Sequence, residues 1–422
     1  MVRNLCTLTA ATFALALLML GGSPALSEGN AELDDLIQIA LRQNPQLQAQ
    51  AEQVNALQAR VPQAGALEDP RLELAFMNVP IQKWQLGADP MSGVAVNLRQ
   101  MVPAHGKLGL MQQMAEREAE AAAAEYADKQ NEVASEVKKA YYALYLARRS
   151  KTITQEIKGL VEDSVKTAEP RYSVGSGIQQ DVLKAQVELS KMIGELIMLD
   201  AEERTELARI NYLLSRSPET PVNTPEEITH RTRSLAEDEL RQKAFERRPM
   251  LKALAAMTEM QQSGYDLALL GYKPDFDFEA GIMLRQGTAG MDMFTVGVMM
   301  NLPSHTTQKQ DRKVEETRAS IASSQASYDS MKNEISFMIQ DLTAMLDRDD
   351  RQISLFSTGL LLQARQSLGS AREAYAVNKV DFLTLLDSIM TLFRYQIDYE
   401  TALTSCEKNL AELEWVVGGL GT

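Results

Sequence analysis

Beyond an N-terminal apolar stretch the sequence holds a single cysteine, Cys406, and it has three histidines in all. Neither an intramolecular disulfide nor a Cys-rich zinc cluster can be assembled from that set. His105 and His305 stand at matching places, each two residues past a proline, Pro103 and Pro303. Several copies of the chain would bring these imidazoles to one level, and imidazole is a metal ligand. No cysteine or carboxylate adjoins either ring, however, and a strand-to-helix corner at a rim suits an amphipathic side chain. No metal site is expected there. The methionines include Met291, Met293, Met299, Met300, Met331, Met338 and Met345. Thioethers can take Cu(I), but Met331, Met338 and Met345 recur at heptad spacing, where Met fills space. Gly106-Lys107 lacks the upstream glycine and following Ser or Thr of a phosphate loop. A Gly-x-Ser-x-Gly elbow is absent as well. The carboxylates are spread along helical faces without a paired pocket. The chain is therefore read as having no catalytic site and no cofactor.

What remains is architecture. Arg3 precedes an apolar run from Ala10 to Leu20, broken at Gly21-Gly22-Ser23-Pro24 and followed by Ala25-x-Ser27. That pattern predicts a secretory signal peptide at residues 1–27, cleaved after Ser27. Cys6 lies inside it, away from the junction, so lipid attachment there is not expected. The formal charge of −14 excludes nucleic acid as a partner, since phosphate binding needs a basic face. No later segment has 18 uninterrupted apolar residues, so any membrane span must be made of strands closed into a barrel.

Four blocks recur in order. Ala40, Pro45, Leu47 and Ala49 match Ala244, Pro249, Leu251 and Ala253; Pro70, Leu72 and Leu74 match Pro274, Phe276 and Phe278. Val94, Val96, Leu98, Pro103 and His105 match Phe294, Val296, Val298, Pro303 and His305, and Tyr172, Val174, Leu183 and Ala185 match Tyr375, Val377, Leu386 and Ser388. The offset stays between 200 and 204 residues, too long for a solenoid. Two fused copies of one unit are expected, at residues 28–216 and 233–422, joined by a linker at 217–232 that Pro218, Pro221 and Pro225 keep extended. Helices are predicted over residues 33–61, 107–166 and 179–214, then 235–270, 308–371 and 382–416. Val133, Val137, Ala140 and Leu144, and likewise Met331, Ile335, Met338, Leu342 and Met345, follow the alternating three-and-four steps of a coiled-coil seam. Between helices lie strands of period two. Val94, Val96 and Leu98 alternate with Ala95, Asn97 and Arg99; Phe276, Phe278, Ala280, Ile282 and Leu284 alternate with Asp277, Glu279, Gly281, Met283 and Arg285. One apolar and one polar face suits lipid outside and water inside, though a half-buried soluble sheet alternates too. Two strands per half cannot close a barrel, since the smallest have about eight, so strands in lipid require several subunits.

With these residues placed, the chain resembles the TolC-like outer-membrane efflux proteins over nearly its whole mature length. The marks are Asn44-Pro45 and Arg248-Pro249, Asp69-Pro70 and Lys273-Pro274, Val102-Pro103 and Leu302-Pro303, and the Tyr-x-x-Gly turn from Tyr172 to Gly175. Its second copy, Tyr375 to Asn378, carries Asn in place of Gly, and Asn also tolerates a left-handed turn. The resemblance implies a mainly α fold with membrane β: a homotrimer sharing a 12-stranded barrel in the outer membrane, above a long α-helical coiled-coil tunnel in the periplasm. It also implies an inner-membrane pump and a periplasmic adaptor as partners. Residues 100–108, with Asn78-Val79-Pro80 and Asp89-Pro90-Met91, look most like the heavy-metal and cation branch; Ala104 and His105 stand where Trp or Phe is common. Drug efflux and type I protein secretion are the alternatives within the family.

In that family the tunnel is sealed at the helical tips, which here fall at residues 172–181 and 375–387. The resemblance implies Asp387 as the main constriction residue. Thr384, Tyr375, Asp381 and Asp181 are further gate candidates, and Tyr172, Gly175 and Asn378 mark the tip turns. Thr384 replaces one of two family acids, and Val380 stands where the family carries a gate-locking Arg. Carboxylates gathered by symmetry would attract cations and repel one another, giving a selective gate sensitive to pH or ions. A reading of a different class is a soluble periplasmic coiled-coil adaptor or scaffold, without a barrel.

Overall fold

The computed structural model describes residues 28–173, 178–230, 236–285 and 291–419. The signal peptide expected at 1–27, Gly175 and the last two residues of the expected linker lie outside them. The first half runs α1 (Glu28–Gln43), α2 (Pro45–Ala64), β1 (Arg71–Met77), β2 (Gly93–Val102), α3 (Lys107–Ser173) and α4 (Gln179–Leu213). The second runs α5 (Glu237–Arg247), α6 (Pro249–Leu269), β3 (Phe276–Arg285), β4 (Met293–Met300), α7 (Gln310–Leu355), α8 (Leu361–Ala376) and α9 (Phe382–Val417).

Three helices expected to be continuous are interrupted, each for a local reason. A residue before proline is pushed out of the helical region, so the helices predicted at 33–61 and 235–270 break at Asn44 and Arg248, both extended. Pro45 and Pro249 then open the next helices, where the missing N–H costs nothing. Asn44 completes its break as an N-cap, its Oδ1 accepting from Gln46 N at 2.9 Å. The helix predicted at 308–371 carries a π turn at Phe356–Leu360, where the Phe356 ring packs against Tyr395 at 6.1 Å.

The 67 residues of α3 span about 100 Å at 1.5 Å per residue. From Lys107 to Tyr172 and from Gln310 to Tyr375 the chain takes the same number of residues, 66. Between Pro303 and Tyr375 the second half carries three residues more than the first does between Pro103 and Tyr172, and these fall in the turn before α7, so the two helical arms match in length.

The strands form one antiparallel sheet in the order β1-β2-β3-β4. The two hairpins, one from each half, meet at β2 and β3, with Val96 opposite Ile282 and Leu98 opposite Ala280. This register aligns the alternation across all strands. Leu72, Leu74, Phe76, Val94, Val96, Phe278, Ile282, Phe294, Val296 and Val298 share one face, and the outer strands leave Leu72 and Phe294 more than 70 % exposed. The other face carries Glu73, Asn97, Arg99, Asp277, Glu279 and Thr295, and Arg99 bonds Glu279 at 3.1 Å. Strands β1 and β4 keep unpaired outer edges, so the sheet is open. Among the described residues no helix is long and apolar enough to cross a membrane.

Two polar junctions tie sheet to helices and half to half. Beneath the sheet, Asp275 accepts from Lys107 Nζ at 2.7 Å and from Ala104 N at 2.8 Å, while Asn301 Oδ1 accepts from Asp275 N at 2.6 Å. At mid-height Asp128 of α3 faces Arg248 and Trp415 of the other half. The helical halves each build a core: Leu36, Leu47, Val137, Tyr141, Leu144 and Ile210 in the first, Leu251, Ile335, Ile339, Leu403 and Leu413 in the second. At the far end the halves merge into one core, where Ile157 and Val161 meet Phe382, Leu386 and Ile389. The linker packs as a strap, with Arg148 Nη1 donating to Val222 O at 2.7 Å and Val222 buried in the first core.

Candidate functional site

The tips of the helical arms gather the residues the sequence pointed to. The second tip turn closes at Asn378, whose φ of 58° is left-handed. Asn reaches this region more readily than most residues because its short polar side chain bonds locally. Asp381 then caps α9: its Oδ1 accepts from Thr384 N at 2.8 Å and from Thr384 Oγ1 at 2.5 Å. Thr384 is thus spent on a helix cap, although its side chain remains exposed. These hydrogen bonds to the charged form hold the Asp381 carboxyl below its ordinary value.

Tyr375 departs from its expected place among gate-lining residues. Its ring is only 8 % exposed and stands edge-on to Phe382 at 5.8 Å, inside the shared tip core. An amphipathic ring at the foot of a helix gains more from this apolar core than from water, so Tyr375 shapes the turn from within. Val380 also packs against that core, so no gate-locking ion pair forms at its position. Tyr172, near the end of α3, is 46 % exposed.

Asp181 lies in the first turn of α4. Its own partial burial, and after it the Asp381 charge on the other half's tip, push its carboxyl above the ordinary value. A raised carboxyl favours the fold when protonated: that contribution is complete below the unfolded value of 3.8 and is lost as pH rises through the folded one. Asp381, with a lowered value, works in the opposite sense and in a window below 3.8. Acidification from neutral to about pH 4 should therefore tighten the tips. Amide exchange at the start of α4 should slow over that range in the wild type. Asp181→Asn should show the slow exchange already at neutral pH, and equal pH response in both proteins would remove the Asp181–Asp381 repulsion from the account.

Asp387 faces an open groove between α4 and α9, exposed and six residues beyond the Asp381 cap. Lys184, Glu188, Lys191 and Glu195 line it from α4, and Arg394 joins Asp387 from α9. The floor is Met192, Leu386 and Met390. The site is thus a ladder of alternating charge over an apolar floor, able to bind or pass ions but without the paired carboxylate and nucleophile of a hydrolytic centre. The sequence reading named only the acids. The cations were legible from spacing, since Lys184 falls three residues after Asp181 and Arg394 seven after Asp387, each on the same helical face as its acid.

His105 and His305 are both exposed at the strand-to-helix corners, and His305 Nδ1 lies 3.0 Å from Ser304 Oγ.

Residues 36–215 match the family described as outer membrane efflux protein. The whole chain is similar to solved structures. VceC from Vibrio cholerae is 19 % identical with a TM-score of 0.79, over 92 % of this chain and 96 % of that one. CusC is 15 % identical with a TM-score of 0.75, over 92 % of both chains. The Campylobacter jejuni CmeC outer membrane channel is 12 % identical with a TM-score of 0.75, over 98 % of this chain and 94 % of that one. No curated protein matches by sequence.

Proposed function

We propose that this chain, which has the TolC-like fold of the outer-membrane efflux channels, is the outer-membrane duct of a tripartite efflux system. Three copies close their sheets into one barrel in the outer membrane, and the helical arms form a tunnel below it. A periplasmic adaptor and an inner-membrane pump deliver the substrate, and the duct conducts it passively. The observation that carries this reading is the open four-stranded sheet, apolar across one face and polar across the other, with both outer edges unpaired. Such a sheet satisfies its backbone in lipid only by joining copies of itself. A second feature agrees: α4 leaves Leu183, Val187, Ile197 and Met198 at least half exposed, an apolar stripe that a neighbouring subunit would cover.

The gate is assigned to Asp387, with Asp181 and Asp381 beside it at the tips. Symmetry-related copies of Asp387 would set a ring of negative charge at the constriction, which draws cations inward. The substrate class proposed is heavy-metal cations, on the strength of residues 100–108 and the Asp181, Asp381 and Asp387 carboxylates. Asp387→Asn should lower cation selectivity of the purified protein in a planar bilayer several-fold without altering its assembly; unchanged selectivity would move the constriction elsewhere. A strain lacking the gene should lose tolerance to copper, silver, zinc, cobalt or nickel, and unaltered tolerance to all five would overturn the substrate class. Recovery of the protein as a detergent-free soluble monomer would overturn the duct itself and return the chain to a periplasmic scaffold.

A further inference from the structure

One cluster of metal-ligating side chains joins positions too far apart in the chain for a local spacing to reveal it. His230 comes from the inter-repeat linker, Asp350 from α7 and Cys406 from α9. Each offers one ligand atom, and these atoms all lie within 4.8 Å of one another. His230 Nε2 is 3.1 Å from Asp350 Oδ1, and Cys406 Sγ donates to the same oxygen at 3.8 Å. Among the described residues no other such group of three is set this way.

The chemistry of the set is specific. Thiolate, imidazole and carboxylate together suit a borderline-soft divalent ion, whereas Mg²⁺ and Ca²⁺ require oxygen donors. Around tetrahedral zinc, with bonds of about 2.0–2.3 Å, neighbouring donors stand about 3.3–3.7 Å apart. The two pairs measured above are already near that spacing, and the His230–Cys406 pair, within 4.8 Å, needs to close by about 1.5 Å at most. Burial grades across the cluster: Cys406 is 7 % exposed, while the His230 and Asp350 side chains are 16 % and 25 % exposed. An ion would enter from the His230–Asp350 side and keep a fourth position for water.

The protein also holds the ligands in place without a metal. The linker is pinned by Arg148, which donates to Val222 O at 2.7 Å and to Thr224 Oγ1 at 3.2 Å, and Ile228 packs on the second core. Asp349, the neighbour of Asp350, is occupied separately, accepting from Asn409 Nδ2 at 2.8 Å and from Arg348. Asp350 is thereby left to the linker.

We propose that His230, Asp350 and Cys406 bind a resident divalent cation of the zinc class, which clips the inter-repeat linker to the α7–α9 pair. Binding replaces the Cys406 thiol proton, released to solvent, with a metal–sulfur bond. This proposal does not rest on the duct reading.

The test uses the untagged full chain in detergent. Co²⁺ titration should develop a thiolate-to-cobalt charge-transfer band at one ion per chain, and Zn²⁺ should displace it. Cys406→Ser should abolish the band. His230→Ala and Asp350→Asn should each weaken binding at least about tenfold, as loss of a supporting group at a metal site does. Because His230 sits on a surface strap, His230→Ala should keep the wild-type circular dichroism while losing the Zn²⁺-induced rise in Tm; Mg²⁺ should produce no rise in either protein. Absence of the band from the wild type overturns the proposal, as does a Zn²⁺ response that survives intact in both His230→Ala and Asp350→Asn.

Discussion

Asp128→Ala should cost about 3–5 kcal/mol of stability, the penalty for stranding a buried charge. Asp128 and Arg248 are each only 4 % exposed, and Arg248 Nε stands 3.5 Å from Asp128 Oδ1 without hydrogen-bond geometry, so their attraction is coulombic. The carboxylate serves two further groups: Met250 N and Trp415 Nε1 both donate to it at 3.3 Å. The Arg248 guanidinium in turn lies over the Trp415 ring at 4.8 Å. One side chain of α3 therefore anchors the α5–α6 break and the end of α9, and its loss removes one of the ties between the two halves. Replacing both charges, as Asp128→Ala with Arg248→Met, should recover much of the loss, because no unpaired ion then remains. Thermal melting followed by circular dichroism measures both. A fall below about 1 kcal/mol for the single variant would mean that water reaches Arg248 and screens it.

Ile282→Arg should destabilise membrane insertion by about 2–4 kcal/mol, whereas Thr295→Arg should be close to neutral. Ile282 sits mid-strand on the apolar face between Val96 and Phe294, in a band that meets lipid in the proposed trimer. Thr295 lies on the opposite face, the one that carries Asp277 and Glu279, where a guanidinium meets water and opposite charge. The readout is the fraction of each variant recovered as detergent-resistant oligomer in the outer-membrane fraction. Equal recovery would mean that the two faces see the same solvent, and the barrel would fall with it.

The strand faces and the coiled-coil arms were legible in the sequence, because each depends on a short period in the chain. Alternation over Phe276 to Arg285 states which residues share a face, and a seam such as Met331, Ile335 and Met338 states which side of a helix is buried. The Pro45 and Pro249 breaks are equally local, because a residue before proline leaves the helical region. Tyr375 is the instructive failure. A tyrosine next to a tip turn could point to water or inward, and only the apolar ring supplied by Phe382 and the first half's Ile157 and Val161 decides for the interior.

By itself the sequence determined the strand faces and the long helices, since propensity and periodicity act within a few residues. Tertiary structure alone decided which distant side chains meet. The Asp128–Arg248–Trp415 junction, the Lys107–Asp275 contact and the His230–Asp350–Cys406 cluster each join positions at least 50 residues apart in part of their network. No local signal encodes such meetings. They follow from helices about 50–100 Å long laid side by side, whose register is set by the sum of many core contacts and not by any motif.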